Sequence, residues 1–202
     1  LIIIEKLINF YDENFKKSLL NRIFNKKNAN LGFYLVGDVG VGKTMILDFF
    51  FDNLVEKKLR LHFNEFMITF HNFIFQNKKK ENGIIEFVKD ISKRAKILYF
   101  DEFQVTNIVD AMILGKLFEK IFEQKIKVIF SSNIHIDDLY KDGLQRDQFI
   151  PFIKILKKNS NEIELKIEED YRLNNSDINQ RFLSPLNKST NFKFNKFLRK
   201  AT

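Results

Sequence analysis

Short apolar runs alternate along the chain with longer stretches whose apolar positions recur every three or four residues. Leu31–Val36 (LGFYLV), Leu59–Phe63, Ile97–Phe100, Lys127–Ser131 and Glu162–Ile167 have the length and apolar density of strands. Between them, Lys43–Val55, Glu65–Gln76, Ile84–Lys93, Asn107–Gln124, Asp137–Lys141 and Leu144–Leu156 read as helices. The second carries Phe66, Phe70 and Phe73 at i, i+4 and i+7, and Gly143 separates the last two. Asn77–Gly83 is a polar loop. Strand and helix alternating from Leu31 to Ile167 predict a parallel sheet covered on both faces. Residues 1–30 form a helical N-terminal segment in this scheme and residues 31–170 the core. Beyond Asp170 the pattern weakens to one helical stretch, Phe192–Arg199, in a tail too short to be its own domain.

Composition narrows the chemistry. Among 202 residues there are 24 Phe and no Cys or Trp. Phe therefore supplies much of the core. A disulfide framework, a thiolate zinc site and a Cys nucleophile are all excluded. The formal net charge is +8 and the pI about 9.4. An acidic partner, a membrane surface or nucleic acid would each suit that charge. The cations are scattered, and the one tight cluster, Lys78–Lys80, sits in a polar loop, so the charge speaks to solubility rather than to a site. No run approaches the roughly 18–20 apolar residues of a membrane helix. Leu1–Ile4 is followed at once by Glu5 and Lys6, unlike a signal peptide. The first residue is Leu rather than Met, as in a fragment or a processed chain.

Gly37-Asp38-Val39-Gly40-Val41-Gly42-Lys43-Thr44 fits G-x-x-x-x-G-K-[ST], between a predicted strand and a predicted helix. Glycines there let successive N–H groups turn inward onto phosphate oxygens. The following helix adds its positive end. Lys43 is placed to reach the β- and γ-phosphates, and the Thr44 hydroxyl to sit on Mg²⁺. The ligand expected is a nucleoside triphosphate, ATP with Mg²⁺; Asn25-Lys26-Lys27-Asn28 fails the N-K-x-D guanine signature. The strand Ile97–Phe100 ends in Asp101-Glu102. At the carboxyl edge of a parallel sheet, Asp101 is placed to hold the Mg²⁺ water shell and Glu102 to polarise an attacking water as general base. After Val128-Ile129-Phe130-Ser131-Ser132, Asn133 either shares that water or touches the γ-phosphate, or simply makes a turn. Arg146, opening the last helix, is either a surface residue or a group that stabilises transition-state charge. His62, His71 and His135 lack metal-ligand spacing, and His62 is expected to be partly buried. Phe66 and Met67 are expected in the core.

These blocks together resemble the ZapE family of AAA+ ATPases, bacterial cell-division ATPases with mitochondrial relatives. The resemblance is carried by Tyr34–Met45, by Arg60–Met67 against H-F-H-x-F-M, and by Asp101–Leu114 against D-E-F-Q-V-T-D-I-x-D-A-M-I-L. Ser132-Asn133 with Asp137–Arg146 matches S-N…D-D-L-Y-K-x-G-L-Q-R, and Asp170–Leu173 matches a further short motif. Asn64, Asn107 and Ile134-His135-Ile136 depart from the family pattern. The resemblance implies a P-loop NTPase αβα sandwich with a five-stranded parallel sheet in the order 5-1-4-3-2. Residues 171–202 would begin a helical lid that is incomplete. By resemblance, Asn133 is the sensor after strand four, Arg146 an arginine finger on a neighbour's nucleotide, and Asp110 a subunit-contact residue. The expected activity is ATP hydrolysis acting on protein partners in cell division or quality control, in a homo-oligomer formed with ATP. The expected location is the bacterial cytoplasm, or the matrix side of a mitochondrion, with peripheral membrane association left open. A nucleic-acid-linked protein of helicase-loader type and a nucleotide-binding fragment with little turnover are the alternatives. Nucleic acid is disfavoured as a partner because no aromatic-basic platform is visible.

Overall fold

A computed structural model describes residues 2–15, 30–77 and 82–166. The chain divides into two units, residues 1–166 and 167–202; the second lies outside the described residues, and with it the expected lid, the helix Phe192–Arg199 and the Asp170–Leu173 motif.

The elements in chain order are α1 (Ile2–Phe15), β1 (Gly32–Val36), α2 (Lys43–Asp52), β2 (Lys58–His62), α3 (Phe63–Gln76), α4 (Gly83–Arg94), β3 (Ile97–Asp101), α5 (Ile108–Glu123), β4 (Lys127–Ser132), a 3₁₀ turn (Ile136–Asp138), α6 (Arg146–Asn159) and β5 (Ser160–Glu164). The five strands form one sheet in the order β2-β3-β4-β1-β5, all parallel, as the resemblance implied. Two expectations shift. Asp137–Lys141 forms no α-helix, only the 3₁₀ turn and the turns after it. The fifth strand starts earlier than Glu162, at Ser160, because its pairing with β1 begins at Gly32 opposite Ser160.

Successive strand residues point to opposite faces, and the sequence uses both. Tyr34, Val36, Leu98, Phe100, Val128 and Phe130 face a large core completed by α3, α4, α5 and α6. Phe33, Leu35, Ile97, Tyr99 and Ile129 face a smaller one completed by α1 and α2. Phe66 and Met67 lie in the large core, as expected. His62 does not match expectation: it ends β2 and is exposed. Two lysines hold the smaller face together. Lys127 Nζ donates to the carbonyls of Phe10 (2.6 Å) and Tyr11 (2.8 Å), fastening α1. Lys58 Nζ donates to those of Phe51 (2.6 Å), Asp52 (2.8 Å) and Leu54 (3.0 Å), closing the C-terminus of α2, where free carbonyls and the negative helix end both favour a cation.

Candidate functional site

The loop between β1 and α2 sits at the carboxyl edge of the sheet. Gly40 (φ 82°) and Gly42 (φ 91°) adopt left-handed conformations that cost side-chain-bearing residues strain. Gly37 is held differently: a Cβ there would come 2.6 Å from the Leu165 carbonyl oxygen. Gly42 caps α2 without a side chain, so the first-turn N–H groups of that helix are left for a ligand. Lys43 is only 7% exposed and folds back into the loop. Its Nζ donates to the carbonyls of Gly37 and Asp38 and to Asn133 Oδ1, each at 2.7 Å. Burial pulls its ammonium below the usual lysine range, with the charges of Asp38 and Asp101 opposing. Thr44, in the first turn, is exposed, as are Asp38 and Val39, while Val41 is half-buried.

The tip of β4 stitches both flanking loops together. Gly37 N–H donates to the Ser132 carbonyl (3.2 Å) and Phe103 N–H to that of Ser131 (2.7 Å). Ser132 Oγ donates to the Phe103 carbonyl (2.8 Å) and accepts from Ile134 N–H (3.1 Å). Tyr34 Oη donates to the Ile134 carbonyl (2.7 Å). Asn133 is thereby fixed beside Lys43.

Asp101 ends β3 at 5% exposure. Its Oδ1 accepts from Glu102 N–H (3.1 Å) and its Oδ2 from Arg60 Nη2 (2.6 Å). Glu102 is exposed and has φ 51°, a left-handed conformation that costs a non-glycine residue on the order of 1 kcal/mol and that clusters at functional sites. Its side chain points to water rather than into the core.

Arg146 is not brought to this crevice. Its Nη2 donates to the Asp137 carbonyl (2.6 Å) and its Nε is buried without a partner among the described residues. Asp110 pairs with His71 (2.6 Å), joining α5 to α3.

Three residues at the crevice carry no sequence expectation of their own: Asp48, Arg60 and Tyr99. Arg60 Nη1 meets Asp48 Oδ2 at 2.9 Å while Nη2 holds Asp101, and the guanidinium carbon lies 5.0 Å from the centre of the Tyr99 ring. Burial pushes the Tyr99 phenol up, with Asp101 and Asp48 adding to it and Arg60 opposing, so it stays a neutral hydroxyl. The signal that could have found them is register: Arg60 lies opposite Tyr99 across the β2–β3 ladder, and Asp48 follows Thr44 by one helical turn.

The donor set fits Mg²⁺. The Thr44 hydroxyl and the Asp101 carboxylate are hard oxygen donors. Asp48 Oδ1, buried and without a partner among the described residues, is a further oxygen in want of one. Among the described residues there is no cluster of three or more His, Cys, Asp or Glu able to hold a metal unaided. Mg²⁺ is usually bound through one or two carboxylates together with substrate phosphates.

The chain is similar to several known proteins. A model of the AFG1-like ATPase family matches residues 3–202. Cell division protein ZapE of Escherichia coli K12 is 36% identical over 166 residues, 82% of this chain and 44% of the relative. Lactation elevated protein 1 homolog B of Danio rerio is 39% identical over 161 residues, 73% and 32% of the two chains. The chain thus spans under half the length of these curated relatives. In fold it is similar to the crystal structure of DnaI (TM-score 0.52, 18% identity, covering 80% of this chain and 81% of that one). It is likewise similar to domain III of the Thermotoga maritima replication initiation protein DnaA (TM-score 0.52, 15% identity, 78% and 67%). The fold is the P-loop αβα sandwich of AAA+ proteins.

Proposed function

The chain belongs to the AFG1-like ATPase family, and from that premise we propose that it binds ATP with Mg²⁺ through Gly37–Thr44 and hydrolyses it. The observation that carries the proposal is the 2.7 Å hydrogen bond from Lys43 to Asn133. It joins the phosphate-loop lysine to the strand-four sensor in one crevice, beside the Asp101-Glu102 step. The loop N–H groups and the α2 terminus cradle the phosphates. Lys43, released from its three acceptors, moves onto the β- and γ-phosphates. Thr44 and Asp101 would hold Mg²⁺, which neutralises charge on the phosphate oxygens. Glu102 accepts a proton as water oxygen bonds to the γ-phosphorus and the bond to the β–γ bridging oxygen breaks, leaving ADP and phosphate.

Arg146 serves a neighbouring copy. Among the described residues its Nε lacks a hydrogen-bond partner and its Nη2 donates to a backbone carbonyl, contacts that another molecule's γ-phosphate could replace. The protein acts on protein partners as an ATP-dependent homo-oligomer. Cell division is the role we favour, because the E. coli relative is a cell division protein. Among the described residues no helix is long and apolar enough to cross a membrane.

Phosphate release is the test. Glu102→Gln should slow it by about 10²-fold or more while leaving ATP binding intact; equal rates would remove Glu102 as the base. Mixing Arg146→Ala protein with Lys43→Ala protein, each inactive alone, should restore part of the activity. A mixture as inactive as its parents would count against action on a neighbour.

A further inference from the structure

Asp101 is the carboxylate that faces the proposed metal, yet its own oxygens are held by groups outside any phosphate-binding motif. Glu102 N–H sits on Oδ1 at 3.1 Å and Arg60 Nη2 on Oδ2 at 2.6 Å, so neither rotation about the carboxyl bond nor a flip is free. Arg60 is itself steadied from the other side by Asp48 at 2.9 Å and from below by the Tyr99 ring. A planar fork can reach two carboxylates through separate nitrogens while stacking on a ring; an ammonium cannot. The chain Asp48–Arg60–Asp101 starts one helical turn past Thr44, the other proposed metal-facing residue. It therefore ties α2 to the end of β3. One buried polar atom in this cluster, Asp48 Oδ1, has no hydrogen-bond partner among the described residues. That is unusual in a purely structural network, where buried polar atoms are satisfied.

We infer that Arg60 is a positioning residue for Mg²⁺ binding: it fixes the Asp101 carboxylate in the orientation that meets the metal's water shell, and Asp48 fixes Arg60. This rests on the ATP and Mg²⁺ site proposed above. Two opposite effects of removing Arg60 have to be weighed. Its positive charge repels the metal, so loss of charge would tighten binding. Loss of orientation would weaken it. The Arg60 side chain is 40% exposed, so water screens its charge, whereas nothing in solvent replaces the fixed carboxylate. Weakening is the expected sign, of the size seen when groups that orient metal ligands are removed, about tenfold or more in metal affinity.

The experiment follows a fluorescent ATP analogue bound to the 202-residue chain, first in EDTA and then titrated with Mg²⁺, for wild type, Arg60→Ala, Arg60→Lys and Asp48→Asn. In EDTA all four should bind the analogue equally, since Lys43 and the loop are untouched. The half-saturating Mg²⁺ concentration should rise about tenfold in Arg60→Ala and in the same direction, by less, in Arg60→Lys and Asp48→Asn. Three results overturn the inference. One is unchanged Mg²⁺ dependence. Another is tighter Mg²⁺ binding, which makes Arg60 a competing cation. The third is equal loss in EDTA and in Mg²⁺, which makes it a structural residue. Full rescue by Arg60→Lys would reduce its role to charge and overturn positioning as well. Should Arg60→Ala fail to fold, judged by thermal unfolding, Arg60→Lys and Asp48→Asn carry the same readout. Wild type that binds no analogue under either condition, with Lys43→Ala indistinguishable from it, is a different result: it removes the nucleotide site itself.

Discussion

The two faces of the sheet are built from the same strands and do different jobs. On one, Phe63, Phe66, Phe100, Phe103, Phe118, Phe130 and Phe152 meet edge-on and tilted, with ring centres 4.6 Å apart for Phe63 and Phe103 and 5.2 Å for Phe118 and Phe152. Helices α3 to α6 pack over this core, with Phe103, Val105, Ile136 and Leu139 of the connecting segments. On the other, the core is smaller, two helices cover it, and charged groups border it: Lys58, Lys127 and Arg60 end against its backbone or its rings, and Asp48 pairs with Arg60. Every residue proposed to touch phosphate or metal in the chain's own crevice lies at the rim of this thinner face or at the strand tips, while Arg146, proposed to reach a neighbour's phosphate, opens α6 on the thick face. The lesson is a division of labour within one sheet. Aromatic packing on one side sets the strand positions, and the other side is left free to carry polar groups.

Breaking the thick face should have the largest effect on stability. Phe118→Ala removes a ring that touches Phe100, Phe103, Phe130 and Phe152 and should cost about 5 kcal/mol, at the upper end for such truncations. The same change on the thin face, Phe50→Ala, meets fewer rings and a 7% exposed site, and should cost about 3 kcal/mol. Denaturant unfolding measures both, and equal costs would erase the contrast. The smallest effect has the opposite sign. Glu102→Gly relieves the left-handed backbone at φ 51°, and the protein should gain about 0.5 kcal/mol after the added glycine entropy is subtracted, while phosphate release is lost. A loss of stability instead would show that Glu102 is not held against its own preference.

Much of the fold was legible because buried parallel strands are continuous apolar runs. LGFYLV, ILYF and KVIFS could be placed to within a residue or so. The fifth strand was not, because SNEIE has little apolar content and owes its conformation to pairing with β1. Asp137–Lys141 misleads for a related reason: two acidic residues and a turn look like the start of a helix, and the chain instead closes a 3₁₀ turn. For the site, Lys43 and Asn133, 90 residues apart in sequence, lie in hydrogen-bond contact, a pairing that neither motif states by itself. Arg60 escaped notice because its partners arise from register between strands and from the facing helix, and no spacing along the chain reports either. The backbone strain at Glu102 was equally invisible, since a glutamate carries no mark of its own φ.

β2 has one further consequence. Among the described residues it is the last strand at its side of the sheet, and an uncovered strand edge invites a foreign strand to join. Here the alternate residues that would line such a junction, Lys58 and Arg60, are a closing cap for α2 and a brace for two carboxylates. Both put positive charge on the face beside this edge, and charged side chains on an edge strand disfavour a flat apolar junction. The charge carried by this edge strand thus works against fibre-like growth of the sheet.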